Sequence, residues 1–526
     1  MGFLVCIPTA GTGSRLGALT RNINKSLLSI GTRPVISLLI EQFPSDSVFV
    51  IALGHQGHLV RSFLTLAYPR RQFIFVEVDP FEGPGSSLGY SLWNCRDHLR
   101  APFIFCSNDT LTKGIIPAPD HNWMAVAESN DPGQYRTVTV QDGKVLNINE
   151  KLQGAPDAQP YIGLAGIKDA QLFWDVMEKA TSQELMMGES LGLRALMGQG
   201  IRVYPIDWYD TGNPQALDRT RRSFSTASDP HILEKSDEAI WFVDNSVIKY
   251  SSDPQFIRQR VLRAELLKGY CPQITDSTTN MYKYQKVEGE VLSDIITIDI
   301  MRDLLVHLMG FWRAHDLGAQ EQARFERACF SFYHDKTYER VDRFYRVTGR
   351  VDGQENINGR KMPLLRELLQ EIDWQRLAKG KAVRFHGDCH FENMIYEKAH
   401  RHFTFLDWRQ EFSGEIEFGD IYYDLAKLYH GLIVSHEAVV QNRFNISWGK
   451  EDVQYSIARK DILLDCEKEL FAFLETNGFD TYKVRVMTAL IFLNIAALHH
   501  YPYNEFLYSL GKDRLFECLR LEKGPR

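Results

Sequence analysis

Apolar positions along this chain follow two rhythms. In the first part, up to about residue 222, continuous apolar runs of strand length alternate with helix-spaced stretches. Phe3 to Pro8 and Val48 to Leu53 are two such runs, and Pro102 to Cys106 is a third that leads to Asp109. Runs of this kind read as strands buried on both faces, and strands alternating with helices predict a mostly parallel sheet covered on both sides. The expected fold of residues 1–222 is therefore α/β, doubly wound and Rossmann-like. Farther on, Ala239 to Val243 and Ser246 to Tyr250 flank Asp244-Asn245 and predict a hairpin. Phe256 to Lys268, Ile300 to Trp312 and Pro363 to Ile372 then carry apolar residues at helix spacing. This second part, 231–526, reads as an α+β domain with a small lobe at about 231–290 and a helical lobe at about 291–526. Residues 223–230 are polar without periodicity and are expected to form the linker.

Composition narrows the function classes. A chain of 526 residues exceeds one ordinary core, since domains usually hold about 100–200 residues. Its net charge of -7 argues against a nucleic-acid partner, which selects a basic face. The eight cysteines are scattered without C-x-x-C spacing, so they supply no zinc or disulfide framework and suit a reducing compartment. No apolar run approaches the ~20 residues of a membrane helix. The run Ala489 to Leu498 is broken by Asn494. The N-terminus has no basic region before its apolar residues, and Cys6 stands where an N-acylation signal wants Ser or Thr. The expectation is a cytoplasmic protein without a membrane partner.

The first strand feeds a glycine-rich turn, Thr9-Ala-Gly11-Thr12-Gly13-Ser14-Arg15-Leu-Gly17. Glycines let backbone N–H groups approach phosphate closely. A P-loop would end in Gly-Lys-Ser/Thr, but Ala18 follows Gly17. A dinucleotide fingerprint would need its third glycine one position earlier and an acid after the next strand. Together with Asn24-Lys25-Ser-Leu-Leu and Gly31-Thr-Arg-Pro-Val-Ile, the turn resembles the opening of the nucleotidyltransferases that make sugar and amino-alcohol nucleotides. That resemblance implies that Gly11, Thr12, Gly13 and Ser14 hold a triphosphate while Arg15 and Lys25 neutralise it. It also implies that Gly85 and Ser86, in Glu82-Gly-Pro-Gly-Ser-Ser, surround the base. Asp109 and Asp210 (in Trp208-Tyr-Asp-Thr-Gly-Asn) would hold the metal, and Lys151 would reach the acceptor phosphate. Glu150-Lys151 reads equally well as a surface ion pair. The sequence departs from the family at Asn24 and Leu152, where Pro is usual, and at Asn213, where Thr is usual. In residue types the set suits a reaction between two anions, in which catalysis is charge neutralisation and alignment.

In the second part, an apolar run from Val383 stops at His386 and gives way to a polar loop with Asp388, His390 and Asn393. Phe403 to Trp408 then carries Asp407. A base on a tight loop, an amide five residues on and a later carboxylate form the kit of a kinase-like phosphotransferase. The pattern His-Gly-Asp-x-His-x-x-Asn resembles the aminoglycoside phosphotransferase and choline kinase superfamily. By that resemblance Asp388 takes or orients the substrate hydroxyl, Asn393 and Asp407 hold Mg²⁺, and Lys249 on the hairpin binds the phosphates of ATP and pairs with Glu265. Met281 to Leu292 would join the lobes, and Asp420 and Asp424 would cap a helix or tie the loop. His386 and His390 are four apart, yet a zinc motif of that spacing needs a helix and a Glu beside the first His, so His386 is read as shaping the loop. No glycine-rich cover precedes the hairpin at Glu234 to Glu238. Arg409 stands where choline and aminoglycoside kinases often have an acid, which argues against a quaternary-amine acceptor. The Tyr- and His-rich stretch 498–506 reads as packing or as an aromatic pocket.

The two resemblances together imply a bifunctional enzyme. One domain would phosphorylate a small alcohol of amino-alcohol or polyol type with ATP, and the other would convert the phosphoester with CTP or another NTP, both with Mg²⁺. Such pairs supply activated groups for capsule or cell-surface polysaccharide. The alternatives are a sugar kinase joined to a sugar-1-phosphate nucleotidyltransferase, or one domain acting as a non-catalytic regulatory module. An oxidoreductase is disfavoured by the glycine spacing. Oligomeric state is left open, a homo-oligomer included.

Overall fold

The computed structural model describes residues 2–128, 132–154, 157–225 and 237–523. Most of the expected linker and Glu234 to Ser236 lie outside them. Contacts divide the chain into two units, Met1–Ile257 with Thr275–Lys286 and Arg258–Ile274 with Val287–Arg526.

The first unit is built on a nine-stranded sheet. From one edge its order is Gln72–Glu77, Val48–Leu53, Leu4–Pro8, Phe103–Cys106, Gln159–Ile167, Trp123–Val126, Arg202–Pro205, Lys144–Asn149 and Thr137–Gln141. Along the first strand, Val5 and Ile7 enter one apolar cluster and Cys6 the other, so both faces are covered and the strand reads as apolar throughout. The first four strands are parallel. Antiparallel pairing begins where Gln159–Ile167 joins Phe103–Cys106. It recurs where Asp142-Gly143, both at positive φ, reverses the chain between Thr137–Gln141 and Lys144–Asn149. A turn that short can only make antiparallel neighbours. The expected parallel arrangement thus holds for the first four strands, and the sheet is mixed beyond them.

A second, four-stranded sheet belongs to the same unit. The hairpin forms as expected, Glu238–Val243 with Ser246–Ser251 around Asp244 at φ 50°, and Met281–Gln285 and Ile274–Ser277 extend it. Its apolar face is buried on the body of the unit. Trp241 is fully buried, edge-on to Phe63 at 5.1 Å, and donates from Nε1 to Ser29 Oγ at 3.1 Å. The Phe242 N–H donates to Thr32 O at 2.8 Å, and Lys283 Nζ donates to Leu66 O at 2.7 Å. The residues expected to form the kinase small lobe therefore divide between the two units. Most of their sheet groups with the first, because that is where its apolar face finds cover.

The second unit is mainly helical. Thr481–Ala496 is buried on nearly every side, and Tyr503–Lys523 and Ile421–Ile433 pack against it. A three-stranded sheet, Glu290–Val291, Met394–Glu397 and His402–Phe405, carries the polar loop at one end. The last strand stops at Phe405, which leaves Asp407 in a loop at φ 54°. Tyr503 and Phe506 pack at a tilt against Phe444, so these tail aromatics are packing. All eight cysteines are free and buried. Among the described residues no helix is long and apolar enough to cross a membrane.

Candidate functional site

In the first unit the chain leaves Leu4–Pro8 into the glycine-rich turn. Gly11 and Ser14 are exposed and Thr12 is half-exposed, and Gly13 sits at φ 67° just before the 3-10 segment Ser14–Thr20. Asn24 explains its own departure from Pro. Fully buried, it donates from Nδ2 to Thr9 O (2.9 Å) and His55 O (2.6 Å). Its Oδ1 accepts from Ser26 N–H (2.9 Å) and Ser26 Oγ (2.8 Å). The turn that starts at Lys25 is thereby tied to two strand ends. Lys25 Nζ reaches Asp109 Oδ2 at 3.0 Å.

Asp109, Asp210 and Arg15 converge on Gly212. A Cβ placed there would lie 3.0 Å from Asp210 Oδ1, 3.3 Å from Asp109 Oδ2 and 3.3 Å from Arg15 Nη2. Burial alone would raise Asp109, but Lys25, Ser107 and Arg15 outweigh it and bring the carboxyl down to about 2. Asp210 is raised by burial and by the charge of Asp109, against donation from Gly212 N–H and Tyr135 O–H. Two acids held this close, with one of them raised, form a place for a divalent cation. The donor set suits Mg²⁺, which takes one or two carboxylates and leaves its other positions to water and phosphate. Bound there, Mg²⁺ would neutralise charge on a triphosphate.

Lys151 belongs to the same electrostatic neighbourhood. Burial, Arg15 and Arg136 pull its ammonium down, while Asp109 and Asp210 oppose them. Its neighbour Glu150 is clamped between Arg136 Nε (3.0 Å) and Arg194 Nη2 (2.9 Å). Gly85 (φ 91°) and Ser86 form a turn in which Ser86 Oγ donates to Gly83 O at 2.7 Å, just before the helix Leu88–Asn94 capped by Ser87. Asn213 is the N-cap of Pro214–Phe224, accepting from Ala216 N–H at 2.9 Å.

In the second unit the polar loop hangs on Asp424. This buried carboxylate accepts from the N–H groups of His386 (2.8 Å) and Gly387 (2.6 Å) and from Trp312 Nε1 (3.0 Å). Asp420 caps the helix Ile421–Ile433. His386 is buried, with Nε2–H donating to Leu406 O (2.8 Å) and Nδ1 accepting from Asp388 N–H (3.1 Å). Burial pushes its pKa down to about 4, so the ring is neutral and shapes the loop.

Asn393 Nδ2 donates to the backbone oxygen (3.0 Å) and Oδ2 (3.1 Å) of Asp388. That leaves its Oδ1 as the end that can meet a cation. Asp407 Oδ1 accepts from Arg260 Nη1 at 2.7 Å. An amide oxygen and a carboxylate again suit Mg²⁺ shared with nucleotide phosphates. Among the described residues neither unit gathers three or more acidic, His or Cys ligands. Asp388 Oδ1 faces Lys427 Nζ at 2.8 Å. Burial would raise the Asp388 carboxyl, but Lys427 and His390 hold it well below the usual range. Burial likewise opposes the charge on His390, yet Asp388 and Glu392 raise its pKa to about 10.

Lys249 is half-buried on Ser246–Ser251 in the first unit, and Glu265 is exposed on Pro254–Leu266 in the second. Sequence reasoning missed Tyr135, Arg260 and Lys427. A signal for Lys427 was present, since it lies one helical turn after the loop-tying Asp424 and so shares its face.

The loop that carries Asp388 is tied to the helix Ile421–Ile433 by Asp424. Residues 258–452 match the model of the phosphotransferase enzyme family. One curated relative, the bifunctional protein GlmU of Methanococcus aeolicus, is 21% identical over 149 residues, covering 27% of this chain. The chain spans about a third (34%) of that relative's length. Among solved structures, the CTP:phosphocholine cytidylyltransferase of Streptococcus pneumoniae is similar at 18% identity and TM-score 0.36, over 43% of this chain and 100% of that one. A UDP-glucose pyrophosphorylase from Acinetobacter baumanii is similar at 16% identity and TM-score 0.35, over 43% of this chain and 93% of that one.

Proposed function

We propose that the chain is a bifunctional transferase. The loop at Asp388 phosphorylates a small alcohol with ATP. The site at Asp109 and Asp210 then transfers a nucleotidyl group, CMP from CTP, to the phosphoester and releases pyrophosphate. One observation carries the reading: each unit has its own pair of acids next to cations, Asp109 and Asp210 beside Arg15 and Lys25, Asp388 and Asp407 beside Lys427 and Arg260.

Each half-reaction suits its site. In the first unit a phosphoester oxygen attacks the α-phosphorus and pyrophosphate leaves, so Arg15, Lys25 and Lys151 have two anions to bring together. In the second, Asp388 is ionised and orients the acceptor hydroxyl. The product of the second site is the class of substrate that the first consumes. Gly11, Thr12, Gly13 and Ser14 would hold the triphosphate, and Gly85 and Ser86 the base. The short extent of the first domain in sequence suits a cytidylyltransferase or a small uridylyltransferase more than a larger hexose enzyme. Arg409 favours a polyol or sugar over a quaternary amine, and with it the reading of a sugar kinase joined to a UTP-using transferase. Either activity would supply an activated precursor for a cell-surface polymer from the cytoplasm.

The test is a grid of alcohols with ATP and Mg²⁺ and each NTP in turn, following ADP and pyrophosphate separately. Both products are expected from one preparation. No ADP with any acceptor would favour a regulatory module over the kinase.

A further inference from the structure

Asp388 stands at the edge of a cationic group that the ATP-directed residues do not account for. Lys427 is one member, 2.8 Å away. Arg409 is the second. Its backbone N–H donates to His386 O at 2.8 Å, and its side chain lies so close to Gly387 that a Cβ there would sit 2.5 Å from Arg409 Cβ. Lys336 and Arg340 are the third and fourth, one turn apart on the helix Lys336–Thr348.

An aromatic ring gathers them. Phe332 lies under Lys336 Nζ at 4.1 Å and under the Arg409 guanidinium at 5.0 Å. It packs edge-on to Tyr423 at 4.9 Å, one turn before Lys427 on the helix Ile421–Ile433. Phe332 is itself placed by the π-helical turn Ser331–Asp335, an irregularity that in helices often marks a functional site.

The group is short of negative charge. Lys427 has Asp388, but Arg340 Nε is buried without a hydrogen-bond partner. Burial, Arg409, Lys427 and Arg340 pull the Lys336 ammonium well below an ordinary lysine, and Asp388 opposes them. Like charges collected against apolar rings are unfavourable unless an anion joins them.

We propose that the alcohol phosphorylated at this loop carries an anionic group, a carboxylate or a phosphate, which sits among Lys336, Arg340 and Arg409 while its hydroxyl faces Asp388. This rests on the phosphotransferase reading and names its acceptor class. The hydroxyl oxygen bonds to the γ-phosphorus, the bond from that phosphorus to ADP breaks, and the hydroxyl proton passes to Asp388 and on to solvent. The product is a phosphomonoester with a second anionic group.

The experiment uses the full chain with saturating AMP-PNP and Mg²⁺. Calorimetry follows binding of two acidic alcohols, D-glycerate and glycerol 3-phosphate, against glycerol and choline. At least one acidic probe should bind about tenfold or more tighter than glycerol or choline. K336Q and R340Q should each weaken that binding, K336R should retain it, and AMP-PNP affinity should not change. If K336Q does not fold, R340Q carries the same comparison. Choline or glycerol binding as well as both acids, or neither acid binding, overturns the proposal. An equal loss of AMP-PNP affinity in K336Q also overturns it, because the cations would then serve the nucleotide. The underlying reading fails separately: it falls if ADP release is untouched by Asp388→Asn. ADP release that needs Asp388 but is fastest with choline sinks the acceptor assignment alone.

Discussion

Lys427 Nζ lies 2.8 Å from Asp388 Oδ1, so a helix that already holds the polar loop through Asp424 also holds its acid in the ionised state. Removing the cation leaves a half-buried carboxylate without its main partner. Lys427→Met is expected to lower kcat for ADP release by about tenfold or more, since each 1.4 kcal/mol of lost alignment is a factor of ten. Steady-state assays on the folded variant check this. An unchanged kcat would mean that Lys427 only helps to hold the loop.

The two reactions should separate by mutation. Asp388→Asn is expected to abolish ADP release and leave pyrophosphate release from a supplied phosphoester intact. Asp109→Asn should do the reverse, because Asp109 meets Asp210 and Arg15 at Gly212. If either change silences both reactions in a folded protein, the two-site reading is wrong.

Asn24 should matter for stability as well as for activity. Asn24→Ala leaves the buried carbonyl of Thr9 and the half-buried carbonyl of His55 without this donor. A loss of about 1–3 kcal/mol is expected in urea unfolding, together with slower pyrophosphate release as Lys25 loses its anchored turn. Wild-type stability in the variant would show that the turn stands without its cap.

Asp424 offers a test through pH. Burial raises its carboxyl to about 6, against the N–H donors of His386 and Gly387 and Trp312 Nε1. In the unfolded chain it titrates near 4, so between about pH 4 and pH 6 the folded state binds more protons and stability from this group falls as pH rises. Its contribution is fully present below the unfolded value and is lost through about pH 6. The stability of wild type relative to Asp424→Asn should therefore drop between pH 4 and pH 7, by up to about 3 kcal/mol. A pH-independent difference between the two proteins would contradict the raised value.

Trp241 tests where the hairpin belongs. Trp241→Ala should cost about 3–5 kcal/mol and speed amide exchange in the helix Gly57–Ala67, whose Phe63 packs on it. Exchange there that is unaffected would detach the hairpin from the first unit.

Much of both candidate sites was legible in the chain because it is local. Glycines in a turn after an apolar run, or an Asp and an Asn five apart on a loop, depend on backbone and residue type within a few positions. Three of the four parallel strands, Leu4–Pro8, Val48–Leu53 and Phe103–Cys106, and the hairpin at Asp244-Asn245 could be read for the same reason. Longer-range outcomes could not. The pairing of Asp388 with Lys427 and the gathering of Lys336 and Arg409 on Phe332 join positions far apart in the chain. Sequence spacing does not encode which charged side chains will share one desolvated space. The grouping of the hairpin with the first unit was likewise decided in three dimensions, because Trp241 is buried wherever a complementary apolar face exists, and that face is supplied by Phe63.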